Sequence, residues 1–278
     1  MKTIVVPVNF SASSDNAARY AADMAIAMGA ALNLINVLQI PVSTAEIPMN
    51  DYVFEEMQQH GADGLKQLRE ELIKRTDGKL NISTDMETGS VEYRVEEFCV
   101  RKDPFVVIMG NAGNSLERVL AGNPLAGVIR HLPYPLIVVP ENAVFHSIKK
   151  IVLACDLDDI VGGIPVSISF LKDFREIFNA SFDVINISSA RRDAKNEAEA
   201  AFEFNSWKDR LREICPEVHF VPMKKVEEGI SEYLGSHPAD LLLVFPKKHG
   251  FLEFHTSQAK KIVFHSQVPV MSIHASTP

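Results

Sequence analysis

The fold is decided by two short apolar runs, Thr3-Ile4-Val5-Val6-Pro7-Val8-Asn9 and Lys150-Ile151-Val152-Leu153-Ala154-Cys155-Asp156. The two runs match in length and character, and each ends on a polar residue. Continuous β-branched runs of this kind are typical of strands that are buried on both faces of a parallel sheet. Because the second run restarts the pattern of the first, the sequence predicts an internal repeat of a whole domain.

The ends of the two halves also match. His131-Leu132-Pro133-Tyr134-Pro135 leads into the apolar run Leu136–Val139, and His265-Ser266-Gln267-Val268-Pro269 leads into a similar run. Each half therefore has a histidine four residues before the proline that opens its last strand. The 278 residues suit two domains of ordinary size. We predict one domain over residues 1–143 and a second over residues 148–278.

Between these ends, apolar runs alternate with segments of helical periodicity. The first such segment is Asp15–Met28, with Ser13 or Ser14 as its expected cap and Gly29 at its end. Alternation of this kind predicts right-handed crossovers and a doubly wound sheet. The predicted fold is α/β, with two doubly wound parallel five-stranded sheets in tandem. Such sheets bind ligands beyond the carboxyl ends of their strands.

Composition excludes several classes of function. The formal net charge is −8 and the hydrophobic content is 46%, which disfavours a nucleic-acid binder and suits a globular chain. Three cysteines without C-x-x-C spacing favour a reduced compartment. The first apolar run is short for a signal peptide, and no run is long enough to span a bilayer. We therefore expect a cytoplasmic protein without membrane partners.

The loops after the predicted strands contain the candidate site. The first loop is Asn9-Phe10-Ser11-Ala12-Ser13-Ser14-Asp15, and the loop after the fourth strand is Gly110-Asn111-Ala112-Gly113-Asn114-Ser115. A later step, Gly122-Asn123-Pro124, has the form of a capped helix start. Backbone amides at such positions bind anions, although these glycines are equally compatible with simple turns. The spacing matches neither a P-loop nor a G-x-G-x-x-G site.

The first half resembles the universal stress protein family. The resemblance rests on Ile4–Ser11, the alanine-rich first helix, Met109–Gly113, and the ending from Gly122 to Pro140. It implies a Rossmann-like fold of the adenine nucleotide alpha hydrolase type that binds ATP or a related adenine nucleotide, with Mg²⁺ as a further candidate. The nucleotide-binding residues that it implies are Pro7, Val8, Asn9, Phe10, Ser11, Val37, Met109, Gly110, Asn111, Gly113, Asn114, Gly122, Asn123 and Pro124.

Two departures from the family pattern stand out. Asn9 occupies the place of an aspartate, and the glycine loop is one residue short, with Asn123 in place of Ser or Thr. An amide keeps an acceptor oxygen for a ribose hydroxyl but lacks the charge that strengthens such a bond. These departures leave open whether nucleotide binding survives.

The second half resembles the family with a degraded site. Asp156 supplies the acidic residue, but only Gly250 of the three glycines remains, and Phe251 and Phe254 are expected to fill the pocket. We interpret this half as a non-binding partner that pairs with the first half through the last strands. The acidic cluster at residues 156–159 is better explained by loop capping than by a metal site.

The leading hypothesis is a stress-response regulator that binds an adenine nucleotide in its first domain. The alternative is a scaffold of the same fold that acts through protein partners without nucleotide. A slow ATP hydrolase ranks third, since no pairing of a nucleophile with a base is implied by the spacing. The sequence predicts no catalytic residue and no metal ligand set, and it leaves open whether the chain forms homodimers.

Overall fold

The computed structural model describes residues 1–39, 51–111, 124–154, 168–188, 214, 216–223, 225–244 and 258–273. Contacts within the chain divide it into two compact units, Met1–His146 and Ser147–Pro278. No helix in the described ranges combines the length and the apolar character needed to cross a membrane.

Unit 1 is a doubly wound α/β domain. Its strands are β1 (Thr3–Val8), β2 (Ala31–Leu38), β3 (Ile82–Thr88), β4 (Val106–Asn111) and β5 (Leu136–Pro140). Its helices are α1 (Ala12–Met28), α2 (Asp51–Arg75), α3 (Val91–Lys102) and α4 (Pro124–His131). The strand order is β3-β2-β1-β4-β5, and every pair is parallel. The order reverses between β1 and β4, which is where such sheets open a crevice for a ligand.

Unit 2 repeats this topology in its described residues. Its strands are β6 (Lys150–Ala154), β7 (Ser181–Ser188), β8 (Glu217–Pro222), β9 (Leu241–Val244) and β10 (Val270–Ser272). Its helices are α5 (Ile168–Phe178), α6 (Val226–Ser236) and α7 (Gln258–His265). The order is β10-β9-β6-β7-β8, again parallel throughout. The predicted fold class, two doubly wound parallel five-stranded sheets, is therefore confirmed.

The core of unit 1 lies between the sheet and its helices. Ile4, Val5 and Val6 of β1 have no exposed surface, as expected for a strand that is covered on both faces. The buried face of α1 consists largely of alanines, including Ala17 and Ala21. Because alanine side chains are short, α1 approaches β1 and β4 closely.

The start of α1 differs from the sequence prediction. The helix begins at Ala12, and its cap is Ser11, whose side chain accepts a hydrogen bond from the Ser14 amide. Ser13 and Ser14, the two predicted caps, lie inside the first turn. The helix ends as predicted at Gly29, which has φ 65° and donates to the Ala25 and Ile26 carbonyls. An extended cap residue with a side-chain acceptor is favoured, and Ser11 meets both requirements.

The position of Gly110 also differs from the sequence prediction. The sequence put Gly110 and Asn111 in the loop after the fourth strand, whereas β4 continues through both residues. Gly110 pairs with Val139 and Asn111 with Pro140 on β5. The strand is longer because its partner β5 extends the parallel ladder to Pro140, and a single sequence gives little indication of that pairing.

Candidate functional site

Unit 1 contains a cavity of about 440 Å³ at the carboxyl ends of β1, β2 and β4. It lies at the reversal of strand order, and its volume is within the range of small-molecule sites. Its described lining consists of Pro7, Val8, Asn9, Phe10, Ser11, Ser13, Ser14, Ile35, Asn36, Val37, Leu38, Gln39, Met57, His60, Gly61, Val91, Met109, Gly110 and Pro124.

The structure brings most of the predicted site residues to this cavity. Those that line it are Pro7, Val8, Asn9, Phe10, Ser11, Val37, Met109, Gly110 and Pro124. Asn111 is buried at the end of β4 and is not part of the lining. The other predicted residues, Gly113, Asn114, Gly122 and Asn123, lie outside the described residues.

Sequence reasoning missed the wall that α2 contributes. Met57, His60 and Gly61 line the cavity from this helix. A β-carbon at position 61 would lie 3.0 Å from the Asn36 Oδ1 atom and 3.0 Å from the Met86 sulfur. A glycine in a helix interior is costly unless it permits a close approach. Gly61 was therefore the signal in the sequence that α2 lies tightly against the strand ends.

The loop after β1 is held by a network of short polar bonds. The Asn9 Oδ1 atom accepts from the Ser11 amide at 3.2 Å and from the Ser11 hydroxyl at 2.7 Å. The backbone amide of Asn9 donates a hydrogen bond to the Ser14 hydroxyl at 3.1 Å. This is an Asx turn that leads directly into the helix cap. The acceptor oxygen of Asn9 is thus occupied within the loop, and its Nδ2 donor has no partner among the described residues.

Phe10 adopts a backbone conformation that a bulky residue rarely takes. Its φ angle is 61°, in the left-handed region, which costs an L-residue about 1–2 kcal/mol. Conformations of this kind persist only where the surrounding structure fixes them, and they are concentrated at ligand sites. The strain lies in the loop at the reversal of strand order, where Phe10 lines the cavity.

Gly110 is required by packing against the start of α1. A β-carbon there would lie 2.2 Å from the Ser13 carbonyl oxygen and 2.6 Å from the Ser13 carbonyl carbon. Real β-carbons do not approach backbone atoms this closely. The glycine therefore allows β4 and α1 to meet at the base of the cavity, and this contact holds the two elements that border the site.

Asn36 fixes the spacing between the ends of β1 and β2. Its Nδ2 atom donates to the Val8 carbonyl at 2.8 Å, and the side chain is 5% exposed. Its Oδ1 atom is buried without a hydrogen-bond partner in the described part of the chain. A buried amide that bonds the backbone in this way rigidifies the floor of a site.

The lining has almost no charge. Among its described residues there is no aspartate, glutamate, lysine or arginine, and His60 is the one titratable group. Asp15 lies near the site in the first turn of α1. Burial raises the pKa of Asp15 above its ordinary value, against the opposing effect of Arg19. A phosphate group in this cavity would therefore meet neither a repelling carboxylate nor a paired cation in the described lining.

Two helices begin at the cavity. The cap of α1, Ser11, and the first residue of α4, Pro124, both belong to the lining. The first-turn amides of a helix have no partner within the helix, and the helix dipole places positive potential at that end. Anions therefore bind at such termini without a basic side chain.

The sequence model of the universal stress protein family matches residues 1–140. This chain belongs to the universal stress protein family. The matched range covers every strand of unit 1 and all of the predicted site residues.

Relatives of known sequence match half of this universal stress protein. Universal stress protein MJ0531 of Methanocaldococcus jannaschii is 27% identical over 144 residues, which are 50% of this chain and 82% of the relative. Universal stress protein G of Escherichia coli O157:H7 is 29% identical over 145 residues, which are 50% of this chain and 98% of the relative.

A solved structure shares the fold over nearly the whole length. A universal stress protein from Archaeoglobus fulgidus superposes with a TM-score of 0.74, and the match covers 98% of each chain at 14% identity. A putative universal stress protein from Pseudomonas aeruginosa matches with a TM-score of 0.63 at 13% identity, over 99% of this chain and 93% of that one. At these identities the likeness concerns the fold alone.

Proposed function

We propose that this universal stress protein binds an adenine nucleotide, ATP in the first place, in the cavity of unit 1 and acts as a regulator in stress response. The observation that carries the proposal is the uncharged cavity of about 440 Å³ at the reversal of strand order, with two helix starts in its lining. Nucleotides bind at this place in doubly wound sheets because backbone amides meet the phosphates there.

The apolar part of the cavity suits a purine base. Ile35, Val37 and Leu38 of β2 line it together with Met57 of α2. Such side chains bury the faces of a ring, while the free backbone groups just beyond β1 and β2 can bond its edge. The family resemblance implies adenine and ribose near Pro7, Val8, Asn9 and Val37, and all four residues line the cavity.

Asn9 would contact the ribose as a donor. Its Oδ1 atom is occupied by Ser11, so the Nδ2 group is what remains for a hydroxyl oxygen of the sugar. A neutral donor of this kind gives a weaker bond than a carboxylate acceptor. We therefore expect a nucleotide affinity below that of a site with aspartate at position 9.

The phosphates would be held by backbone groups near Gly110 and Pro124. Pro124 opens α4 at the cavity, and a proline at this first position leaves the following amides free to point at an anion. The remaining phosphate contacts implied by the family resemblance, at Gly113, Gly122 and Asn123, rest on the sequence.

The first experiment is a calorimetric titration of the full, nucleotide-stripped chain with ATP and Mg²⁺. We expect saturation near one nucleotide per chain, and weaker binding of GTP because its base presents an acceptor where adenine presents an amino donor. Absence of heat and of thermal stabilisation at millimolar ATP would refute the proposal. The scaffold function would then be the one to pursue.

A matched pair of glycine variants assigns the binding to the first domain. Gly113→Val adds a side chain to the predicted phosphate loop of the first half, and Gly250→Val makes the same change in the second half. We expect the first change to abolish binding and the second to leave the dissociation constant unchanged. Equal losses in the two variants would contradict a single site in the first domain.

Position 9 gives a test that can strengthen binding. Asn9→Asp keeps one oxygen for the two Ser11 bonds and turns the free Nδ2 donor into an anionic acceptor. We expect tighter ATP binding, by about tenfold if the new bond adds about 1.4 kcal/mol. Asn9→Ala should weaken binding. A loss of affinity in Asn9→Asp would place the ribose elsewhere.

Binding without rapid turnover is the expected mode. The described lining offers no carboxylate to act as a base, and His60 is an exposed residue of α2. General-base catalysis needs a titratable group within hydrogen-bond reach of the attacking water. Phosphate release should therefore be slow, and steady release that survives Gly113→Val would indicate a contaminating activity.

A further inference from the structure

A second polar cluster lies in unit 2, at the amino-terminal ends of the strands. It consists of Asp183 on β7 with Glu217 and His219 on β8. The nucleotide site of the fold family lies at the other edge of the sheet, beyond the carboxyl ends of the strands. The cluster is therefore independent of the function proposed above.

The sheet register brings the three side chains together. Asp183 pairs with Glu217, and His219 lies two residues farther along β8. Side chains two residues apart on a strand point to the same face. All three residues therefore lie on one face of the sheet, on the side where α6 packs against β7 and β8.

The atoms converge on a point. The His219 Nε2 atom lies 3.9 Å from the Asp183 Oδ2 atom and 3.8 Å from the Glu217 Oε2 atom. One ligand atom from each residue lies within 4.8 Å of the other two. In a tetrahedral zinc site with bonds of about 2.1 Å, ligand atoms are about 3.4 Å apart. The two distances from His219 exceed that value by about half an ångström, and the exposed Glu217 carboxylate would have to move toward Asp183 to complete the geometry.

The environment of the His219 Nε2 atom supports an ion site independently of these distances. This atom is buried and has no hydrogen-bond partner among the described residues. Buried polar nitrogens without a partner are rare in folded proteins, and an unfilled ion site is one of their explanations. The atom faces a carboxylate that is 2% exposed, on Asp183, so this is a nitrogen donor held beside a buried oxygen donor.

Two further residues hold the Asp183 carboxylate in place. The Lys150 Nζ atom contacts Oδ1 at 2.5 Å, and the Tyr233 hydroxyl donates to Oδ2 at 2.8 Å. Each carboxylate oxygen has two lone pairs, which leaves Oδ2 one for an ion. Outer partners of this kind orient metal ligands.

The charge balance permits a divalent cation. Two carboxylates, on Asp183 and Glu217, stand against one ammonium, on Lys150, and His219 contributes a neutral imidazole when it acts as a ligand. Glu217 is 77% exposed, so its side chain can move onto an ion that arrives from solvent. A water molecule would complete the coordination.

We propose that Asp183, Glu217 and His219 bind a divalent first-row transition metal ion of the Zn²⁺ type. An imidazole nitrogen with two carboxylate oxygens is a donor set that suits zinc and its neighbours, whereas Mg²⁺ and Ca²⁺ prefer oxygen donors alone. The site stabilises unit 2 when it is filled, because binding to the folded state alone shifts the unfolding equilibrium.

The test uses the full chain after chelator treatment, titrated with Zn²⁺ by calorimetry and with Co²⁺ by visible absorption. We expect one ion per chain with raised thermal stability, and no competition from Mg²⁺. His219→Phe keeps a ring in contact with Tyr233 and removes the nitrogen ligand, and we expect binding weaker by at least about 100-fold, because even the partners that orient a ligand are worth about 10–100-fold. Glu217→Gln should weaken binding by about tenfold.

His237→Phe is the matched control. Its ring stacks on Tyr233 at 4.3 Å and lies 5.8 Å from the His219 ring, between centroids, but His237 is not one of the converging ligands. We expect Zn²⁺ affinity close to that of the unaltered chain. If circular dichroism shows that His219→Phe does not fold, Glu217→Gln becomes the deciding test of the metal site. The Glu217 side chain is exposed, so its replacement should not disturb the fold. Absence of Zn²⁺ binding at micromolar concentrations, or equal affinity in the Glu217 variant, would overturn the proposal.

Discussion

The ring of Phe10 lies flat against the backbone of α2 at Gly64. A β-carbon at position 64 would come within 2.7 Å of the Phe10 Cζ atom and within 2.8 Å of both Cε atoms. The absence of a side chain at Gly64 thus makes the space that the ring occupies. This contact explains how Phe10 keeps its left-handed backbone conformation, with φ 61°, at the edge of the cavity.

The contact predicts a reversal of sign in a double-mutant cycle. Gly64→Ala alone should lower the free energy of unfolding by about 1–3 kcal/mol, because the new methyl group collides with the Phe10 ring. In a Phe10→Ala background the collision is absent. Gly64→Ala should then raise the free energy of unfolding by up to about 1 kcal/mol, because alanine has the higher helix propensity. Urea unfolding followed by circular dichroism measures both values. Additive effects would show that the ring does not depend on Gly64.

Gly110 should tolerate no side chain. Gly110→Ala puts a β-carbon 2.2 Å from the Ser13 carbonyl oxygen, and the backbone there cannot move without shifting α1. We expect a loss of about 3 kcal/mol or more in the free energy of unfolding. Gly235→Ala is the control, since nothing lies within 4 Å of its β-carbon, and it should be neutral or stabilising by up to about 1 kcal/mol. Similar losses in both variants would contradict the packing role of Gly110.

The ion pair between Arg19 and Glu71 should give a small, pH-dependent stability. The Arg19 Nε atom lies 2.5 Å from Glu71 Oε1, and this hydrogen bond lowers the pKa of Glu71 below its ordinary value. Because the pKa of Glu71 is lower in the folded state, the ion pair adds its full stability at pH values above the pKa of Glu71 in the unfolded chain. This stability is lost as the pH falls through the pKa of Glu71 in the folded chain. Since both side chains are partly exposed, we expect Glu71→Gln to cost about 0.2–1 kcal/mol at neutral pH and nothing in strong acid.

Glu70→Gln serves as the comparison for this pair. Glu70 is an exposed neighbour on α2, and Glu70→Gln should leave the free energy of unfolding close to that of the unaltered chain. Denaturation midpoints measured at neutral and acidic pH, at low and high salt, separate the two variants. A Glu71→Gln effect that persists in acid would mean that packing, and not charge, is responsible.

Cys99 should be chemically inert in the folded chain. Its side chain is fully buried in α3, and burial raises the pKa of the thiol to about 12. The thiolate is the reactive form, so alkylation should be negligible at neutral pH until the chain unfolds. In a chain with Cys155→Ser and Cys215→Ser, mass spectrometry after iodoacetamide treatment should find no label without urea and complete labelling with it. Rapid labelling of the native chain would reveal opening of α3 against the sheet.

The sequence predicted more of the fold than of the site. The alanine-rich face of α1 is buried, as expected from the periodicity of its first segment, Asp15–Met28. Helical and strand periodicities are local, so a single sequence contains them. The cap of α1 could not be predicted from the local sequence alone. Ser11, Ser13 and Ser14 all have the chemistry of a cap, and Ser11 is the one with the extended backbone that a cap requires, with φ −78° and ψ 158°.

The sequence by itself determined that the chain repeats an α/β unit and that its candidate site lies beyond β1 and β4. It did so because buried parallel strands need continuous apolar runs and because strand order follows from right-handed crossovers. Only the tertiary structure decided that α2 walls the cavity through Gly61 and Gly64, and that Asp183, Glu217 and His219 converge in unit 2. Contacts between residues that are distant in the chain depend on strand register and helix packing, and no local pattern of residues records them.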